Sequence, residues 1–159
     1  MDEERDFQRA KELALNYISF RPRSSKEVKS HLIRKGYSSP LVHRIVHYLI
    51  ERKYIDDREF ARKWFLTRLQ KGGYGPFLIT RELAEKGISP DTCHELREKM
   101  YPEEREYEEA KRLIEKKGYQ GMKPSPREKR RLYQRLLRKG FSSSIVIQLL
   151  GMHQTGENC

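Results

Sequence analysis

Apolar residues recur along this chain at helical spacing, and no stretch alternates in the manner of a strand. Ala10, Leu13, Ala14, Tyr17 and Ile18 follow the i, i+3, i+4 rule of one helical face, as do Phe60, Ala61, Trp64, Phe65 and Leu69. The same stripe runs through Val28, Leu32 and Ile33, through Leu41, Ile45, Val46 and Leu49, and through Leu132, Tyr133, Leu136 and Leu137. The pattern predicts about nine short helices and no sheet.

The punctuation between the stripes agrees. Ser24 with Glu27, and Asp56 with Glu59, have the spacing of a capping box. Ser39-Pro40, Gly75-Pro76, Ser89-Pro90 and Ser125-Pro126 each put an N-cap residue before a proline suited to the first helical position. Gly36, Gly87, Gly118 and Gly140 stand where helices should end.

Three of these glycines share a context. Gly36, Gly87 and Gly140 each follow a lysine (Lys35, Lys86, Lys139), which stands three residues after a leucine (Leu32, Leu83, Leu136). Each is followed by an apolar residue (Tyr37, Ile88, Phe141) and then by serine. Upstream, Ala10, Ala61 and Ala110 open comparable helices. This periodicity predicts an all-α fold of three tandem three-helix repeats over 8–54, 56–101 and 103–151. The glycines are the elbows between the second and third helices. The third repeat has a longer loop within "KKGYQGMKPSPRE", and 152–159 reads as a disordered tail.

Composition changes this picture in two ways. In 159 residues the apolar and charged shares are each 36%, so small cores and much solvated surface are expected. Lys and Arg outnumber Asp and Glu by 34 to 23, for a net charge of +11. That excess favours an anionic partner. It is also uneven: residues 1–55 and 103–159 each carry +5, while 56–102 carry only +1. Two cysteines, Cys93 and Cys159, make no disulfide framework, which points to a reducing cytoplasm. The start "MDEERD" is acidic where a signal peptide would be basic, and no apolar run is long enough to span a bilayer, so no membrane role is expected.

Candidate chemistry is sparse. Asp56 and Asp57 do not face each other on a helix and read as N-capping residues. His43 and His47 are one turn apart, but Arg44 stands where a zinc-protease motif needs its glutamate. Cys93 and His94 point apart, and Cys93 lies three before Leu96, so it belongs to a core. "GGYGP" (72–76) follows a helix and lacks the Lys-Ser/Thr of a phosphate loop; it is a turn. Phe60, Trp64 and Phe65 read as core. No catalytic, metal or cofactor site is expected, and no enzyme.

The basic stretch "REKRRLYQRLLRKG" (127–140) is the best functional candidate, with seven cations against Glu128 alone. Leu132, Tyr133 and Leu136 hold one face inward, so Arg131, Arg135, Arg138 and Lys139 lie at or beside the exposed one. Lys129 and Arg130 join them. Arg21, Arg23, Arg34 and Lys35 form a second cluster, with Arg21 and Arg23 in a loop where their side chains are expected to be free. Lys86, at the second elbow, completes the expected contact set for an anionic partner.

The chain resembles the RecX family, the bacterial regulators of RecA recombinase, through "ALNYISFRPRSSKEV" (14–28), "YIDDREFARKW" (54–64), "GYGPFLITREL" (73–83), "EKGI" (85–88) and "LLRKGFS" (136–142). The resemblance covers roughly 10–151. It implies an elongated, curved array of the three repeats, binding in the helical groove of the RecA–DNA filament, modulation (usually inhibition) of RecA, and no catalysis. A monomer is expected, with weak, sequence-independent binding to single- and double-stranded DNA. The alternative is an independent DNA-binding protein of stacked helix-turn-helix-like modules. The third helices, "SSPLVHRIVHYLI" and "SSSIVIQLLG", offer few side chains that could read bases.

Overall fold

A computed structural model describes residues 2–119, 121 and 123–152. The predicted tail falls almost wholly outside them. The described residues form nine helices and no strand: α1 (Asp2–Phe20), α2 (Ser25–Arg34), α3 (Ser39–Glu51), α4 (Asp57–Lys71), α5 (Pro76–Glu85), α6 (Pro90–Met100), α7 (Glu103–Lys116), α8 (Pro126–Arg138) and α9 (Ser143–Leu150). Helices α1–α3 pack on one another, α4 packs on α5 and α6, and α7 and α8 pack on α9. Three tandem three-helix units result.

The caps explain most boundaries. Ser24 opens α2 with a complete capping box, its hydroxyl accepting from Glu27 N–H while the Glu27 carboxylate accepts from Ser24 N–H. Ser125 and Glu128 do the same for α8. Asp56 forms only half of its expected box: its carboxylate accepts from Glu59 N–H at 3.0 Å, but the Glu59 side chain turns to Arg62 instead. The N-cap of α3 is Ser38, one residue earlier than expected, so Pro40 takes the second helical position. Ala10, Ala61 and Ala110 do not open helices. They sit inside α1, α4 and α7, each fully buried, where a small residue lets neighbouring helices approach.

All three elbow glycines have positive φ: +93° at Gly36, +83° at Gly87 and +91° at Gly140. The chain reverses there at little cost only because no Cβ is present. After each, the apolar residue's N–H closes on the leucine carbonyl five residues back: Tyr37 on Leu32, Ile88 on Leu83 and Phe141 on Leu136.

Among the described residues the three units share two cores. One is confined to the first unit, with Val28, Leu32, Ile45 and Leu49 fully buried. The other runs without a break through the second and third, from Phe65, Ile79 and Leu83 to Phe141 and Val146. The expectation of small cores thus holds only for the first unit. Two stripe assignments also change. Ile33 is half exposed, and Val42 rather than Leu41 is the buried residue at the start of α3.

The two junctions between units reuse one docking geometry. At each, the first turn of one unit's second helix sits on the next unit's elbow. A Cβ on Gly87 would lie 2.6 Å from Cβ of Lys26, and a Cβ on Gly140 would fall against the backbone of Leu78. A Cβ on Gly36 would meet nothing within 4 Å.

Candidate partner-binding surface

Helix α8 is held rigidly. Its N-terminus is fixed by the Ser125–Glu128 box, its inner face by buried Leu132 and Leu136, and its C-terminal elbow by the second unit. Gly75 N–H donates to Lys139 O at 2.6 Å, and Phe77 N–H donates to Gly140 O at 2.9 Å. A rigid helix with one face anchored presents the other in a fixed register.

That outer face carries the expected cations. Arg130, Arg131, Arg135 and Arg138 are exposed, and Lys129 and Lys139 are half-buried. Among the described residues, none of the six pairs with a carboxylate. Glu128, the acid of α8, is committed to its cap. Its carboxyl lies below the usual range because it accepts from the Ser125 backbone N–H and side chain.

Three surface depressions meet at Arg135. One, of about 250 Å³, lies between α7 and α8 and adds Lys116 and Lys117. A second, of about 440 Å³, lies against the end of α4 and adds Lys71 and Tyr74. A third, of about 380 Å³, includes Arg131, Arg138 and Tyr119. Lys71, Lys116 and Lys117 lie outside the basic clusters expected from the sequence. The adjacent lysines before Gly118 were the available signal for two of them. Nothing local marks Lys71, which reaches the site through the packing of units.

The first-repeat cluster is arranged differently, and the expected freedom of Arg21 and Arg23 is corrected. The Arg21 guanidinium donates to Glu27 Oε1 at 2.8 Å and to Pro22 O at 2.9 Å. Arg23 lies over the Tyr17 ring, 3.8 Å from its centroid, and donates to Tyr17 O at 3.2 Å. Lys86 donates to the same Glu27 Oε1 at 2.9 Å. Burial pushes the Glu27 carboxyl up, but hydrogen bonds from Arg21, Lys86 and Ser24 N–H outweigh it and hold the group at about 2. Arg34 and Lys35 are exposed at the open Gly36 elbow, away from this network.

The remaining sequence candidates have structural partners. Asp57 does not cap its own helix. It accepts from Ser25 N–H at 2.7 Å and from Ser25 Oγ at 2.5 Å, tying the second unit to the first. His47 is exposed 3.0 Å from Glu51. Cys93 is buried, and burial raises its thiol above the ordinary range. Phe60 and Phe65 are core residues, whereas Trp64 is half-buried and donates to Glu82 at 2.9 Å. Among the described residues no helix is long and apolar enough to cross a membrane.

Tandem three-helix units, each with a glycine elbow between its second and third helices, define a class of helical-repeat protein, and the comparisons place the chain within it. Residues 10–49, 56–99 and 103–150 match, in order, the first, second and third three-helix domains of RecX. The chain therefore belongs to the RecX family. It is 38% identical over 134 residues to a protein of Bacillus subtilis (strain 168) named Regulatory protein RecX, covering 84% of this chain and 50% of that one. The Regulatory protein RecX of Bacillus licheniformis is 39% identical, covering 84% and 51%. The chain thus spans about half the length of these curated relatives. Its fold matches the crystal structure of RecX from Lactobacillus salivarius with a TM-score of 0.82 at 27% identity, covering 93% of this chain and 96% of the other.

Proposed function

We propose that this chain is a non-enzymatic regulator that binds along the groove of the RecA–DNA filament and inhibits RecA. The observation that carries this reading is the row of cations on α8, unpaired among the described residues and set in fixed register beside Lys71, Lys116 and Lys117. Membership of a family whose relatives are named regulatory proteins supports the regulatory role. The anionic partner is the filament, with its DNA phosphates and acidic protein surface. Tandem units suit a repeating partner, because each contact raises the effective concentration of the next. On this reading the protein acts as a cytoplasmic monomer and binds free single- or double-stranded DNA weakly and without sequence preference. The last helix, α9, carries Gln148 as its one long polar side chain, which gives little means of reading bases.

The test is co-sedimentation of the purified protein with RecA on single-stranded DNA, beside RecA alone and DNA alone. The expected result is retention on the filament well above that on bare DNA, with RecA-driven strand exchange suppressed. Equal retention on bare DNA would favour the independent DNA-binding alternative.

A further inference from the structure

The depression between α7 and α8 joins two kinds of surface. Its floor is aliphatic: Leu113, Ile114, Leu132 and Leu136. Its rim is cationic: Lys116, Lys117, Arg135 and Lys139, none of them paired with a carboxylate among the described residues. Each half narrows the chemistry of the occupant. A duplex backbone would satisfy the rim but leave the apolar floor wet, because phosphates and sugars carry no apolar side group. An unstacked base would call for an aromatic platform, and this lining contains no aromatic residue. The volume of about 250 Å³ is below the roughly 300–1,000 Å³ of pockets that enclose small molecules, so it suits a side chain.

A peptide whose acidic residues flank one apolar residue meets both demands. We propose that this depression seats an apolar anchor side chain borne on an acidic segment of the protein component of the filament. The rim cations hold the flanking carboxylates. The inference rests on the reading that the α8 face meets the filament, and it assigns this part of the face to protein rather than DNA. Apolar anchors in small pockets supply most of the energy in many interfaces, while surrounding charges set orientation and approach rate. The rigid hold on α8 favours this use, since the floor is formed before the anchor arrives.

Three probes test it against the full chain with labelled methyl groups, followed by NMR: a short synthetic peptide of Asp and Glu with one central Leu, the same peptide with Ser in place of that Leu, and an oligothymidylate of equal charge. The Leu peptide should bind about tenfold more tightly than its Ser twin, the effect of burying one aliphatic side chain. It should shift the methyl signals of Leu113, Ile114 and Leu132, which the oligonucleotide should leave in place. Ile114→Ser should abolish the preference for Leu while leaving the Ser peptide's affinity unchanged. Because that variant can lose structure, Lys117→Ala with Arg135→Ala, both at the rim, gives a second check and should weaken both peptides alike. Equal affinity for the two peptides, failure of both to bind, or methyl shifts caused by the oligonucleotide would overturn the proposal. None of these outcomes would alter retention on the filament, which tests the broader reading by itself.

Discussion

The first junction between units is held mainly by charged side chains, and the second mainly by backbone hydrogen bonds and apolar side chains. To the second, Glu109 adds a bond from Gly73 N–H at 2.8 Å, and Arg97 lies 3.9 Å from buried Glu106. At the first, Glu27 gathers Arg21 and Lys86, Asp57 reaches back to Ser25, and Lys26 Nζ donates to Glu85 O at 3.1 Å. At the second, Gly75 and Phe77 donate from their backbone N–H groups to the Gly140 elbow, over a core that continues through both units. The difference decides what is left for a partner. Cations at the first junction are consumed in holding the molecule together. The second junction needs none of the α8 cations, so among the described residues they remain unpaired at its rim. Two basic clusters that look alike in sequence thus have different surroundings in the fold.

Substitutions at the elbows probe this contrast most strongly. Gly140→Val puts a branched side chain at φ +91° and drives it into the backbone of Leu78, where nothing can yield cheaply. It should cost on the order of 4 kcal/mol and lower the melting temperature of the second and third units together. Gly87→Val places its Cβ 2.6 Å from Lys26 Cβ, an atom tied to the α2 backbone, and should cost only slightly less. Gly36→Val meets open space and should cost about 1 kcal/mol, for backbone conformation alone. Equal losses at all three sites in thermal denaturation would break the comparison.

Next in size is the charge hub. Glu27→Gln should cost about 2 kcal/mol, since it weakens charge-assisted bonds from Arg21 and Lys86 at a largely buried carboxylate. The acid dependence follows from the same group. Its folded value, about 2, lies below the ordinary 4.5. Its stabilisation is therefore complete above about pH 4.5 and is lost as the pH falls toward 2. Hydrogen exchange across this range should show α2 losing protection in the unaltered protein, with a much flatter response in Glu27→Gln. A smaller effect is expected at Tyr101, buried beside the second junction, whose hydroxyl donates to Tyr74 O at 2.8 Å. Tyr101→Phe should cost about 1 kcal/mol in denaturant titration, with no change in acid dependence between pH 4.5 and 2.

Much of the fold is legible in the sequence because its signals are local. The elbows are marked by Leu-x-x-Lys-Gly, the start of α2 by Ser and Glu three apart, the start of α8 by Ser125-Pro126, and the helices by their stripes. Features that join distant residues are not legible this way. Lys86 reaches Glu27 across 59 positions, and no pattern near either residue announces it. The merging of the second and third cores is hidden for the same reason, since a stripe shows that a face is buried but not against what. The α3–α4 turn carries no glycine signal, because Lys53 takes the left-handed conformation there, at φ +60°. At the candidate site, α8 stands out through its own charge, but the convergence of Lys71, Lys116 and Lys117 on Arg135 needs the packed structure.

The most direct test of the central claim sets the two basic clusters side by side. One variant carries Arg131→Glu, Arg135→Glu and Arg138→Glu; the other carries Arg21→Ala and Arg23→Ala. Each is measured for melting temperature and for affinity to RecA filaments across a salt series. The first should keep its stability, since all three arginines are exposed and glutamate is a good helix former. It should lose about tenfold or more in filament affinity, most at low salt, where screening is least. The second should melt earlier and, where still folded, bind the filament nearly as well as the unaltered protein. The opposite pattern, with affinity lost at Arg21 and Arg23 and kept after reversal of α8, would contradict the account.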